Sequence, residues 1–428
     1  MYKKLGIYIH IPFCAKKCNY CDFNSFTPKE NQVEQYIDAL IGEMNVKLVE
    51  FDDYIVQTVF IGGGTPTYIP AKYISRIMSE LKNKLESIRP GMYAPTEVTI
   101  ECNPGTVNYD KLLEYKKAGI NRISIGLQSA DCNELCLLGR IHSFNQWKET
   151  VVAAKNAGFN NISTDLISGI PGQTVDTFTQ SLDCVIDSDV NHISVYSLII
   201  EEGTPFYDKY NPDKYTEEQL DEIDETDRKI YAITKEKLEA AGYYRYEISN
   251  YAKPGYESVH NIGYWTREEY IGFGISAASL IRNVRTTNTD DFNKYIYYYT
   301  GVGMLDFCYC DTGKSVLNDT ENAVDSSMYQ SNAVDGSSSL YQNNVEGVQM
   351  ESLSVSQQMS EFMILGLRLS KGVSYERFFE EFGCTPGDVY NDIIEKWMEL
   401  GYLVLDEDYL KCTDEALDVC NVIMSDFV

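Results

Sequence analysis

Basic residues are scarce in this chain: 36 lysines and arginines stand against 64 aspartates and glutamates in 428 residues, a formal charge of −28. So acidic a surface repels a phosphate backbone and an anionic lipid face, which sets nucleic acid aside as a partner. Missing too is any uninterrupted apolar run of membrane-spanning length, and the opening residues MYKKLGIYIHIPF lack the apolar stretch and small-residue cleavage site of a secretory signal. No integral membrane segment is expected, and a cytoplasmic location is. The 12 cysteines are too sparse for a disulfide scaffold. Nine are scattered, the Cys308-Tyr-Cys310 pair among them, and read as small buried hydrophobes. Cys14, Cys18 and Cys21 fall close together and need a separate explanation. What is present is globular: 44% hydrophobic and 23% charged residues, in a length that suits one large domain and one small one.

From Lys4 to about Ile200 one theme repeats: a short β-branched run, a polar or glycine-rich turn, then a stretch with helical period. The apolar runs are Leu5 to Ile11, Thr58 to Ile61, Glu97 to Ile100, Arg122 to Leu127, Asn161 to Leu166 and His192 to Ile199. Between them lie helical stretches at Val33 to Val49, Ala71 to Leu85, Tyr109 to Ala118, Asn145 to Ala157 and Val175 to Ile186. Strands joined by crossover helices build a parallel sheet, closed, partly closed or doubly wound. Such sheets place their chemistry at the carboxyl ends of the strands, where GGGTPT, ECNPG, GLQS and DLIS stand. A helix from Glu217 to Ala240 leads to YYRYEISNYA, which reads as a sheet extension. Residues 314–352, rich in Ser, Asn, Asp and Gly without a sustained period, read as a flexible insertion. Beyond them, helices over Ser356 to Leu369, Tyr375 to Phe382 and Val389 to Leu400 and a hairpin from Gly401 to Cys412 suggest a small winged-helix-like domain. The expected division is 1–240 core, 241–313 core extension, 314–352 insertion and 353–428 C-terminal domain.

HIPFCAKKCNYCDF spaces three thiols as C-x3-C-x2-C on the loop after the first strand. A structural zinc site wants a fourth nearby Cys or His; position 23 is Phe, and His10 lies on the strand before the loop turns. Three thiolates on a four-iron cluster leave one iron open to a bidentate ligand such as the amino and carboxylate groups of a methionine. Zinc and unrelated thiols are the alternatives.

This cysteine pattern and the strand-end sequences that follow it resemble the radical SAM superfamily. The resemblance implies a partial (β/α)6 barrel, a 4Fe-4S cluster on Cys14, Cys18 and Cys21, and S-adenosylmethionine (SAM) bound at its open iron. Gly63, Gly64 and Thr65 match the GGGTPT motif that receives the SAM amino group. Glu101 in ECNP matches a ribose-binding carboxylate, and Tyr20, between the last two cysteines, the aromatic beside the adenine. Gln128, Arg140 and Asp165 match SAM-contacting positions of the coproporphyrinogen-dehydrogenase-like branch, and Tyr8 and Ile199 further pocket positions. Arg140 is chemically apt, because a guanidinium pairs bidentately with a carboxylate. Read alone, each of these is an ordinary strand-end or cap residue.

Two features select the branch. Oxygen-independent coproporphyrinogen III dehydrogenases carry a further cysteine two residues after the third ligand, where this chain has Phe23. The heme-chaperone branch, HemW-like proteins, carries H-N-x-x-Y-W, here His260 to Trp265. His260 is thereby expected to ligate heme iron, with the aromatic rings beside it shielding the macrocycle; without the resemblance, the segment reads as a packed, hydrogen-bonded corner. Relatives have GAHS after this block, whereas here GFGISAASL places Ala278 at the histidine's position. The resemblance implies a chaperone that takes up heme or a porphyrin and passes it to an apo-hemoprotein, served by a reductant such as flavodoxin or ferredoxin. The alternatives are a coproporphyrinogen III dehydrogenase of porphyrin biosynthesis and, from another class, a non-enzymatic metal-binding scaffold, which would have no need of Gly63, Arg140 or Asp165.

Overall fold

The computed structural model describes residues 2–301 and 348–428. Cys308, Cys310 and residues 314–347 of the expected insertion lie outside them.

Each early β-branched run is a strand and each following periodic stretch a helix. The order is β1 (Lys3–Ile11), α1 (Gln32–Lys47), β2 (Tyr54–Gly63), α2 (Ala71–Ile88), β3 (Tyr93–Cys102), α3 (Tyr109–Lys117), β4 (Arg122–Gln128), α4 (Cys132–Leu138), α5 (Phe144–Asn156), β5 (Asn161–Ser168), α6 (Val175–Asp187) and β6 (His192–Ser197). The helix α4, at 7 residues, is too short to show a period. Its start is signalled by Asp131, whose side chain accepts from the amides of Asn133 and Glu134. Ser143 and Thr174 form capping boxes at α5 and α6.

Neighbouring strands from β1 to β6 pair in parallel, in sequence order. Their side chains alternate with the two-residue pleat. Leu5, Ile7, Ile9 and Ile11 of β1, Val59 and Ile61 of β2, Val98 and Ile100 of β3, and Ile123 and Ile125 of β4 join the helices in one buried core. The other face carries Tyr8, His10, Thr58, Glu97, Glu101, Arg122, Ser124, Asp165 and His192, so the concave side of the sheet is polar although largely buried.

After β6 come α7 (Pro205–Tyr210), α8 (Glu217–Ala240), β7 (Tyr244–Arg245) and β8 (Asn250–Ala252). The last two extend the sheet antiparallel beyond β6. The chain returns through α9 (Val259–Trp265) to β9 (Tyr270–Phe273), which pairs in parallel with β1. There follow β10 (Ala278–Ile281), β11 (Val284–Thr287), α10 (Phe292–Thr300) and β12 (Gln349–Ser352). Among the described residues the sheet thus has 12 strands running from β12 to β7 and does not close on itself: it is an incomplete barrel with an antiparallel extension at each end. Residues 349–352, expected inside the insertion, form a strand paired with β11.

The C-terminal part has its own core, built by α11 (Val355–Gly366), β13 (Val373–Ser374), α12 (Tyr375–Phe382), α13 (Pro386–Glu399), β14 (Leu403–Asp406), β15 (Tyr409–Cys412), α14 (Asp414–Leu417) and α15 (Cys420–Ser425). Its three-stranded sheet runs β13-β15-β14, the expected hairpin with one strand added. Arg267 joins it to the barrel: its nearly buried guanidinium meets Glu381 at 2.7 Å and Glu361 at 3.3 Å. No helix among the described residues is long and apolar enough to cross a membrane.

Candidate functional site

The cysteines stand on the long loop between β1 and α1, at the carboxyl ends of the parallel strands. Its base is pinned by backbone bonds from the Cys14 amide to the Phe26 carbonyl (2.9 Å) and from the Phe26 amide to the Pro12 carbonyl (2.8 Å). Phe13 meets Phe26 edge-on at 5.6 Å and anchors this turn in the core. The far side is held by Asn19, whose amide donates to the Leu138 carbonyl at 3.0 Å and whose carboxamide donates to that of Leu137 at 2.8 Å.

The glycine run after β2 threads directly beneath this loop. The Gly64 amide donates to the Ile11 carbonyl (2.9 Å) and the Thr65 amide to that of Phe13 (2.8 Å). A Cβ at Gly64 would lie 3.0 Å from the Cys14 sulfur, and one at Gly63, whose φ is +111°, 2.6 Å from the His10 ring. Side chains are therefore excluded by the protein's own packing, a reason for glycine that motif reading alone does not disclose. The Gly63 amide donates to Glu101 at 3.1 Å.

The strand ends bring most of the expected residues together. Arg140 donates 3.6 Å to the Cys18 sulfur, 2.7 Å to the Asn103 side chain and 2.9 Å to the Gly126 carbonyl. Asn103 in turn donates to the Thr65 hydroxyl at 2.8 Å, itself 3.5 Å from the Cys14 sulfur. Asn103 was missed by motif reading, although it sits in ECNP two residues after Glu101. Gln128 has φ of +73°, a conformation disfavoured for residues other than glycine, at an irregularity in the β4–β5 register that turns its side chain off the regular pleat. Glu101 is pushed up to about 8 by burial and then by the nearby charge of Asp165; burial also raises Asp165, which accepts 3.2 Å bonds from Ser124. Tyr20 is pushed up to about 12 by burial and packs edge-on against Phe206 at 6.4 Å beside Arg140. Tyr8 lies deeper, stacked on Phe60 with its hydroxyl 3.0 Å from His10 Nδ1, so it supports the site from below. Ile199 departs from expectation: the sixth strand ends at Ser197, and Ile199 lies beyond it, 69% exposed.

The donor set suits an iron-sulfur cluster. Cys14, Cys18 and Cys21 are free thiols on one loop, and burial raises Cys14 and Cys21, so the thiolates are disfavoured until a metal centre compensates. Thr65 and Arg140 supply hydrogen bonds to sulfur, the outer contacts that orient and tune such ligands. Among the described residues no three His, Cys, Asp or Glu side chains close on a single ion. A cluster supplies its own core between the sulfurs and needs no such convergence.

His260 is elsewhere. It pairs with Thr58, five residues before Gly63 along β2, which puts it roughly 17 Å from the cysteine end of the strands. Its Nδ1 lies 2.8 Å from the Thr58 hydroxyl and its Nε2 2.9 Å from that of Tyr264. The ring stacks on Phe60 at 5.2 Å and meets Tyr264 edge-on at 4.8 Å. Burial, then the charge of Arg122, lowers His260 to about 3. The amides of Val259 and His260 donate to Glu97, which caps α9 against the barrel wall. Both ring nitrogens face hydroxyls and the motif forms a packed corner, so for His260 to ligate heme iron, as the resemblance implies, the Thr58 or the Tyr264 hydroxyl would have to turn away. Phe23, by contrast, is 68% exposed on the cysteine loop.

Residues 8–185 match the family model of the radical SAM superfamily, and residues 353–419 that of the HemN C-terminal domain. The chain is 32% identical over 421 residues to the heme chaperone HemW of Bacillus subtilis (strain 168), covering 98% of each chain. To the heme chaperone HemW of Escherichia coli (strain K12) it is 36% identical over 291 residues, 67% of this chain and 74% of the relative. Among solved structures, coproporphyrinogen III oxidase (HemN) from Escherichia coli, a radical SAM enzyme, superposes with a TM-score of 0.76 at 20% identity over 100% of this chain and 90% of that one, a likeness of fold.

Proposed function

Since the chain belongs to the radical SAM superfamily, among its HemW-type heme chaperones, we propose that it binds a 4Fe-4S cluster and SAM at the strand ends and carries heme to an acceptor protein. The observation that carries the reading is the gathering of the cysteine loop, Gly63 to Thr65, Glu101 and Arg140 at one end of six parallel strands.

In this reading Cys14, Cys18 and Cys21 would hold the cluster, and the chemistry supplied there would be one-electron reduction of SAM at the expense of a reductant such as flavodoxin or ferredoxin. Gly63, Gly64 and Thr65 line the floor beneath the cysteine loop, where a side chain would collide with His10 or Cys14. Glu101 takes the ribose hydroxyls in this reading, which its closeness to the Gly63 amide supports. With its affinity for a proton raised by burial, it donates as well as accepts hydrogen bonds near neutral pH. Arg140 keeps positive charge beside Cys18 and, with Asn103 and Thr65, braces the loop against β3 and β4. Tyr20 covers the side toward Phe206, and Asp165 and Gln128 complete the rim. Heme is cargo in this scheme. The domain division at 240, 313 and 352 is part of the same proposal; the separate core of the C-terminal part supports the last of these boundaries.

The test is anaerobic purification followed by parallel measurement of hemin binding and coproporphyrinogen III conversion with SAM and a reductant. Hemin binding with little or no conversion is expected. Robust conversion would transfer the chain to the dehydrogenase reading, and an unchanged electron paramagnetic resonance spectrum of the reduced cluster at saturating SAM would leave a purely structural metal centre.

A further inference from the structure

A cavity of about 620 Å³ lies between the barrel and the C-terminal part, far larger than the gap of about 20 Å³ under the cysteine loop. Its size is that of small-molecule and cofactor sites. One wall is the C-terminal half of α9 with β7, the other is α11, the turn before β13 and the start of α12. Trp265 lines it. Five residues along the helix from His260, Trp265 is turned by about 140°, so the motif that packs its histidine into the barrel presents its tryptophan to the cavity.

The lining is aromatic and positively charged. Tyr244, Tyr246, Trp265, Phe362 and Tyr409 contribute rings, and Arg245, Lys371 and Arg377 face a single acid, Glu257. In a chain with 64 acidic and 36 basic residues, this inverts the overall balance. Arg245 is occupied by Asp418 and the Ile248 carbonyl. Lys371 lies over the Tyr409 ring at 4.4 Å, and Arg377 over that of Phe362 at 5.6 Å while donating to the Thr266 carbonyl. Among the described residues neither pairs with a carboxylate, and nearby Glu361 and Glu381 are held by Arg267 and Arg285. The buried indole nitrogen of Trp265 has no hydrogen-bond partner, and the Arg368 guanidinium lies over one face of its ring at 4.3 Å, which leaves the other face for stacking. Rings that can stack on a flat apolar face, beside two cations with no anion of their own, describe a receptor for a flat ring that bears carboxylates.

Resting on the reading above that heme is cargo, we propose that this cavity is the cargo site, taking a tetrapyrrole between Trp265 and the C-terminal part with its carboxylates on Lys371 and Arg377. Recognition is then by ring and carboxylates and not by a strong bond to iron, which suits a ligand that must be handed on. No covalent step is involved.

The full chain, prepared anaerobically, is titrated with hemin, with metal-free protoporphyrin IX and with the dimethyl ester of protoporphyrin. The proteins compared are wild type, Lys371→Glu and Lys371→Glu/Arg377→Glu. Lys371 is exposed, and far-UV circular dichroism with iron content checks the folding of both variants. Wild type is expected to bind both free-acid porphyrins, and the double variant to bind each about tenfold more weakly or worse, with the ester unaffected. If wild type binds hemin and the charge-reversed proteins bind it equally well, the cavity is not the site although the cargo reading stands. Binding of hemin without the metal-free ring refutes recognition by ring and carboxylates. Failure of wild type to bind hemin removes the cargo reading and this inference with it.

Discussion

Replacing His260 by alanine separates a packed corner from an iron ligand. The ring is buried, holds two hydroxyls, and contacts the rings of Phe60 and Tyr264. Its removal leaves the Thr58 and Tyr264 hydroxyls without a partner, at about 1–3 kcal/mol each, and forfeits ring contacts worth about 0.5–1.5 kcal/mol apiece. Because these terms share one cavity they do not simply add, and a loss on the order of 4 kcal/mol is expected at pH 7.5. The pH dependence has a definite sign. With His260 lowered to about 3 in the folded protein, the unfolded chain binds the extra proton below its ordinary value near 6.5. The histidine's stabilisation is therefore complete above pH 6.5 and lost as pH falls toward 3. The alanine protein has no such loss, so the gap between the two should be about 2 kcal/mol smaller at pH 5 than at pH 7. Urea unfolding at both pH values reads it, and comparing the pair cancels the opposite trend from raised carboxyls such as Glu101. Equal unfolding midpoints at pH 7.5, or a gap indifferent to pH, would refute the packed-corner account. A folded His260→Ala protein should also bind hemin with affinity within about twofold of wild type.

Reconstituted protein should carry about four irons per chain, and alanine at Cys14, Cys18 or Cys21 should abolish them; stoichiometric zinc without cluster absorption would overturn the assignment. Gly63→Ala forces a side chain into left-handed backbone and within 2.6 Å of His10, so it should lower stability by roughly 2 kcal/mol or more, read by urea unfolding, as well as cluster occupancy. Arg267→Ala removes the link to Glu361 and Glu381 between the barrel and the C-terminal part. Limited proteolysis should release the C-terminal part faster, with cluster iron content unchanged; equal cleavage rates would show that the remaining contacts suffice.

The local record in the chain was strong for regular structure. The six parallel strands and their crossover helices were legible because β-branched runs and helical periods are short-range patterns, as were the Glu217–Ala240 helix and the hairpin before Cys412. The short strands β9 to β11 were not, since each has only four residues and owes its place to β1 and to the neighbours it pairs with. At the site, the three cysteines stood out through their spacing and context, whereas the glycine run, weak by itself, gained meaning only from the family resemblance. Asn103 and the reason for glycine at positions 63 and 64 depended on which atoms the fold brings within 3 Å.

By itself the sequence determined the element order, the end of the sheet at which chemistry is expected, and a cysteine spacing suited to a cluster. Each follows from contacts or periodicities spanning only a few residues. Only the tertiary structure decided that His260 is sealed between Thr58 and Tyr264 while Trp265 lines a cavity against the C-terminal part. The physical reason is that a motif specifies donors and rings but not their partners: these lie some 200 residues away on β2 for the histidine and some 100 residues onward for the tryptophan, and only the folded chain brings them together.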